Sequence, residues 1–219
     1  MFIGHYGVGL GAKKFAPHVS LAILFIAAQF LDLLWPIMLL TGHAHVDIKP
    51  GITKMTPLDF THYPISHSLL MAVIWGLAMG LIAWFVLKKA TPAIVIAVLV
   101  PSHWVLDLIV HRPDLPLVPG SSVKVGLGLW NYPAATLIVE GLIFFGGVFI
   151  YLRSTKPKNK TGVYAFWGLI VFFLAIYVMS IFGAPPPNQA AIAWAGNLQW
   201  LFVIWAWWAD RNRTAGSYE

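Results

Sequence analysis

Residues 65–87 read ISHSLLMAVIWGLAMGLIAWFVL, and from Ser68 to Leu87 no side chain carries a charge. A helix crosses the hydrocarbon core of a bilayer in about 20 mostly apolar residues. This stretch alone therefore predicts a transmembrane helix, and Lys88 and Lys89 stop it at an interface. Working outward, the same reading predicts spans over 19–40, 92–110, 133–152, 162–183 and 190–209. The expected fold is an all-α polytopic bundle of six full spans, occupying residues 1–219 as one integral-membrane domain. The span over 92–110 is the least regular, because Pro101, Ser102, His103 and Asp107 interrupt it.

Composition supports that class. The 219 residues are 59% hydrophobic and 10% charged, against about 25% charged in a soluble domain. The mean hydropathy is +0.76. Such a chain cannot cover its surface with polar groups, so the lipid bilayer must cover much of it. The formal charge of +6 does not point to nucleic acid, because the basic residues sit in short loops between apolar runs. There is no cysteine, which excludes disulfides and thiolate metal sites. The first long apolar run, from residue 19 past Leu40, is too long for the core of a signal peptide.

Topology follows from the cations. Lys13, Lys14, Lys88, Lys89, Arg153, Lys156, Lys158, Lys160, Arg211 and Arg213 fall on one side of the predicted spans. Lys49, Lys54, Arg112 and Lys124 fall on the other. The positive-inside rule then places the Lys13/Lys14 turn and the C-terminus in the cytoplasm. Trp205, Trp207 and Trp208 suit an interfacial belt. Phe2 to Phe15 is apolar but too short to span, and Lys13–Pro17 reads as a turn. His5 lies 12 residues before Pro17 and Asp32 lies 15 after it. At 1.5 Å per residue these are about 18 and 22 Å, so a helical hairpin holds both at similar depth. A short seventh helix at the N-terminus is expected, with Gly4, Gly7, Gly9 and Gly11 allowing close packing.

Within this apolar frame the titratable residues stand out. His103 and Asp107 are four apart and share a helix face, which His111 extends by another turn. Pro101 is expected to kink the helix just before them. His62 and His67 flank the outer start of the second span, with Pro64 between. Asp32 is embedded among Leu31, Leu33, Leu34 and Trp35, and Pro36 frees its carbonyl, so a bend is expected there. A charged Asp at the bilayer centre costs about 2.5–3.5 kcal/mol on insertion scales. Asp32, Asp107 and Glu140 all need an offset, and no Lys or Arg lies inside any predicted span. A bound divalent cation, or protonation, supplies it. His5, Asp32, His62, His67, His103 and Asp107 are the candidate ligands. With histidine and carboxylate donors the expected metal is zinc, as one or two ions. Asp32, Asp107 and Glu140 are the candidate catalytic acids, although Glu140 reads equally well as an acid behind the ligands or as a protonated, hydrogen-bonded group. Arg112 and Lys124, on the same outer side, are candidates to hold an anionic head group. His43 and His45 read as solvated loop residues, and His18 as interfacial. Against all this stands a plainer reading, in which His103 and Asp107 are a hydrogen-bonded pair that packs helices.

The motif order resembles the YdjM-like family of bacterial membrane-bound proteins described as metal-dependent hydrolases. The matching elements are Gly4-His5, Asp32 with Pro36, His62-x4-His67-Ser68 and Ser102-His103-x3-Asp107, across residues 1–114. The chain departs from the family pattern at Tyr63, where an arginine is common, and at Leu34, near which a second aspartate is common. The resemblance implies a reaction class, metal-dependent hydrolysis, rather than a substrate; the expected substrate is a phosphoester, ester or amide of a lipid-like molecule entering near the outer leaflet. Two other classes fit the composition. One is a transporter, since intramembrane acids mark ion paths, though no duplicated halves are visible. The other is an accessory subunit whose histidines hold haem or another cofactor.

Overall fold

The computed structural model describes residues 1–216. Among these residues are ten α-helices: α1 (Ile3–Gly11), α2 (Leu21–Ala28), α3 (Phe30–Leu40), α4 (Pro64–His67), α5 (Leu69–Leu87), α6 (Ala90–Val110), α7 (Pro133–Ser154), α8 (Lys160–Phe182), α9 (Gln189–Asn197) and α10 (Gln199–Arg211). Helices α5, α6, α7 and α8 and the α9–α10 stretch are each long and apolar enough to cross a membrane. The pair α2 and α3 makes a sixth crossing if counted as one span, but it is bent by 61°. The short N-terminal helix is present as α1. The departures from an all-helical chain are three two-stranded antiparallel ladders in the connections. They are β1 (His45–Ile48) with β2 (Leu58–His62), β3 (Leu115–Pro116) with β4 (Lys124–Val125), and β5 (Thr155–Pro157) with β6 (Arg213–Ala215).

The bend in the first span is not where the proline placed it. It falls at Gln29, seven residues before Pro36, and Pro36 lies inside α3. Because Pro36 has no N–H, the Asp32 carbonyl lacks its helical donor. Gln199 Nε2 on α10 donates to that carbonyl at 3.4 Å. The missing bond is thus replaced from a neighbouring helix, and α3 continues.

Helix starts follow local chemistry. Ser68 caps α5, its hydroxyl accepting from the Met71 amide, and Asn159 and Asn188 do the same for α8 and α9. Ser68→Ala should therefore lower stability by about 1 kcal/mol, read as a thermal shift in detergent. At the far end of α5, Lys88 adopts a left-handed conformation that turns the chain into α6.

Among the described residues two large apolar cores form, beside a small cluster of Ala22, Leu33 and Val203. One gathers Leu31, Trp35, Leu99, Val100 and Trp104 from α3 and α6. The other gathers Tyr6, Phe144, Phe166, Phe173 and Phe202 from α1, α7, α8 and α10. Helix α1 lies against α7 at near-backbone distance. A Cβ on Gly7 would stand 2.6 Å from the Ile143 carbonyl oxygen and 2.7 Å from the Phe144 Cα, so only glycine fits this crossing. At the other end of the bundle Lys13 is buried rather than solvated. Its ammonium donates to Asp210 Oδ2 at 2.7 Å and to the Val19 carbonyl at 2.8 Å. Asp210 also accepts from the Leu21 amide (3.0 Å) and the Tyr151 hydroxyl (2.7 Å). This knot ties the α1–α2 turn to α7 and α10.

Candidate metal centre

Helix α1 brings His5 from the second core against α6 of the first, and the polar centre forms between them. On α6, Trp104 donates its indole N–H to the His67 carbonyl at 2.9 Å. This fixes α4 and the start of α5 beside His103 and Asp107. Asp32 enters in the first turn of α3, just past the bend at Gln29. The bend therefore turns a residue that would lie along the lipid-crossing helix into the interior.

His103 is the hub. Its Nδ1 lies 2.8 Å from the Ala28 carbonyl oxygen. A carbonyl only accepts, so Nδ1 carries the proton in the neutral ring and Nε2 presents a lone pair. Among the described residues, that buried Nε2 has no hydrogen-bond partner. Yet Asp107 Oδ2 is 3.1 Å away and Asp32 Oδ2 is 3.7 Å away. His67 Nε2 stands 3.3 Å from Asp32 Oδ1 and 3.7 Å from Asp107 Oδ2. The His103 lone pair facing carboxylates at these distances repels unless a proton or a metal cation sits among them. Tetrahedral ligands on bonds of 2.0–2.1 Å are about 3.3 Å apart, and these separations bracket that value. Among the described residues two groupings are tight enough to hold a metal ion: Asp32, His67 and His103, and His5, His103 and Asp107. The donor set fits a divalent cation in chemistry and spacing.

The rest of the centre orients these groups. The His5 ring stacks on the His103 ring at 3.6 Å with an interplanar angle of 4°, and its Nε2 is 3.0 Å from Asp107 Oδ1. The Met1 amino nitrogen donates to the same oxygen at 2.5 Å. Glu140, buried on α7, accepts from the Phe2 amide at 2.9 Å. Its carboxylate thus sits at the N-terminus of α1, where the helix dipole favours negative charge. His111 Nδ1 is 2.9 Å from Asp114 Oδ1, which also accepts from the Tyr63 hydroxyl at 3.1 Å. Burial pushes the Tyr63 phenol up, so it remains a donor. A cavity of about 200 Å³ opens beside the centre, lined by Asp32, His67, Asp107, His111, Glu140 and Trp35 among others.

Of the candidate residues, His5, Asp32, His67, His103 and Asp107 come together, with Glu140 on the adjoining cavity wall. His62 lies apart, with an exposed side chain at the end of β2 and in neither grouping. Its strand position explains this, because β pairing with His45 turns it away from the bundle. Arg112 is ion-paired to Asp59 and sits 3.4 Å from Asp114, while Lys49 also pairs with Asp59 at 2.5 Å. Lys124 donates to the Thr61 carbonyl at 3.3 Å. These cations staple the β1–β2 hairpin over the centre. Neither the Ala28 carbonyl, a backbone group from a distant helix, nor Gln199 as donor to the Asp32 carbonyl was legible before folding.

The model of the YdjM inner membrane protein family matches residues 2–184. The chain belongs to this family. Comparison with curated proteins and with solved structures found no match. In this YdjM-family protein the matched region carries every residue of both groupings and ends before α9 and α10. With its apolar helices, family membership makes it a multi-pass membrane protein.

Proposed function

We propose that this protein is a membrane-embedded, metal-dependent hydrolase acting on a lipid-like ester or phosphoester at the outward-facing side of the membrane. The observation that carries the reading is the buried, unpartnered Nε2 of His103, held as a lone pair by the Ala28 carbonyl and faced by two carboxylates. Asp32, His67, His103 and Asp107 would hold one ion, and nitrogen with carboxylate donors favours zinc. His103 belongs to both groupings but has only Nε2 to offer, so a second ion would rest on His5 and Asp107 alone. When bound, the metal supplies a Lewis acid that polarises the scissile group and acidifies water.

The chain's own residues do the rest. Asp107 orients His5 through Oδ1 while Oδ2 faces His103 and His67. Asp32, with a quarter of its side chain exposed, is the acid best placed to take a proton from water in the cavity. Glu140 anchors the N-terminus of α1 and so keeps His5 in place. Trp35, Phe60 and Trp130 line the cavity and limit solvent. The outward placement rests on the distribution of basic loops. Elemental analysis of the purified protein is expected to find at least one equivalent of zinc. A metal-free preparation that stays metal-free after incubation with zinc overturns the reading.

A further inference from the structure

A second, larger cavity of about 700 Å³ adjoins the first. It is a groove between α8 on one side and α9 and α10 on the other, walled by Phe172, Ile176, Met179, Ala195, Leu201 and Trp205. The helices diverge there because α9 packs on α3, while α10 returns to α8. From Phe172 to Met179 the groove follows α8 for about 10 Å into the bilayer. It borders the metal cavity, and Phe2, Trp35, Thr56, Leu58 and Ser180 line both. At that junction Trp35 is buried and its indole N–H has no hydrogen-bond partner among the described residues. An indole N–H is a donor only, and leaving it unpaired is costly.

An apolar trough that opens among lipid-facing helices, passes an unused donor and ends at a polar centre matches an amphiphile laid along it. We infer that the substrate is a membrane lipid whose hydrocarbon chain lies in the α8–α9–α10 groove. Its ester or phosphoester oxygen accepts from Trp35 Nε1, and its polar head reaches the Asp32–His67–His103 centre. This rests on the hydrolase reading for the chemistry but not for the binding. The groove selects by its length and apolar walls, and the head group is held by the centre rather than by Arg112, which is already paired.

The test uses the full chain in phosphatidylcholine vesicles containing a small fraction of phosphatidylglycerol with a diazirine midway along one acyl chain. After irradiation, peptide mapping compares labelling of the groove walls with that of Leu77 and Leu81 on the outward face of α5. Enrichment in the groove on the order of fivefold to tenfold is expected, the ratio that about one hydrogen bond supplies. Ala195→Trp, which fills the groove from an exposed position, should bring labelling down to the α5 level, whereas Leu77→Trp should leave the enrichment unchanged. Trp35→Phe keeps an aromatic side chain but removes the N–H and should lower the enrichment, so the proposal stays testable if Ala195→Trp does not fold. Even labelling of all lipid-facing helices in the wild type, or enrichment untouched by both groove variants, overturns it. Metal content measured on the same samples separates the two readings. Zinc-loaded protein with even labelling removes the lipid site and leaves the metal centre, and metal-free protein with a labelled groove does the reverse.

Discussion

His103→Ala should leave the purified protein with less than about a tenth of the zinc bound by the wild type, since losing a ligand or its supporting bonds lowers affinity by tenfold or more. His103 is the one residue common to both groupings, so its loss dismantles either arrangement. It also removes the ring on which His5 stacks and the donor to the Ala28 carbonyl. Loss of metal through misfolding is a separate matter, and Asp107→Asn addresses it. That change keeps the shape of the side chain while removing the charge that faces four histidines, and it should also empty the site with the α-helical signal intact. His62→Ala is the matched control and should retain the full complement of metal, because its side chain is exposed on β2. Wild-type zinc content in both His103→Ala and Asp107→Asn would remove the centre from these residues altogether.

Asp210→Ala should destabilise the protein by about 3–5 kcal/mol, the cost of breaking a buried ion pair by removing one partner. At about 2–4 °C per kcal/mol for a chain of this size, the apparent melting temperature in detergent should fall by roughly 6–20 °C. Three donors lose their acceptor at once: the Lys13 ammonium, the Leu21 amide and the Tyr151 hydroxyl. Lys13 retains only the Val19 carbonyl, and it is buried. Combining Asp210→Leu with Lys13→Met should recover part of the loss, because no charge is then left without its partner. Recovery should be incomplete, since the Leu21 amide and Tyr151 hydroxyl remain unpaired. A melting temperature within a degree or two of wild type for Asp210→Ala would mean that the knot contributes little.

Much of the candidate centre was visible before folding was considered. The i,i+4 spacing put His103 and Asp107 on one face, and equal distances from the Pro17 turn put His5 and Asp32 at one depth. His67 was identified as a candidate together with His62, and only the fold separates them: one closes α4 beside Trp104, the other ends a strand. Pro36 misplaced the bend because the replacement donor, Gln199, comes from a helix more than 160 residues away. Lys13 was read only as a loop cation that sets topology, and its burial was not visible because its partner, Asp210, is equally remote in sequence. Arg112 and Lys124 were candidates for binding an anion, but Asp59, Asp114 and a backbone carbonyl already engage them.

Hydrophobic length and the placement of basic loops are local quantities, and they alone specified a helical membrane protein with polar residues gathered in one layer. Which of those residues meet is a different kind of information. It depends on the glycine-lined crossing of α1 on α7, the bend at Gln29 and a carbonyl on α2 that dictates which nitrogen of His103 is left bare. None of these leaves a mark on the periodicity of any single segment, because each arises where two helices touch.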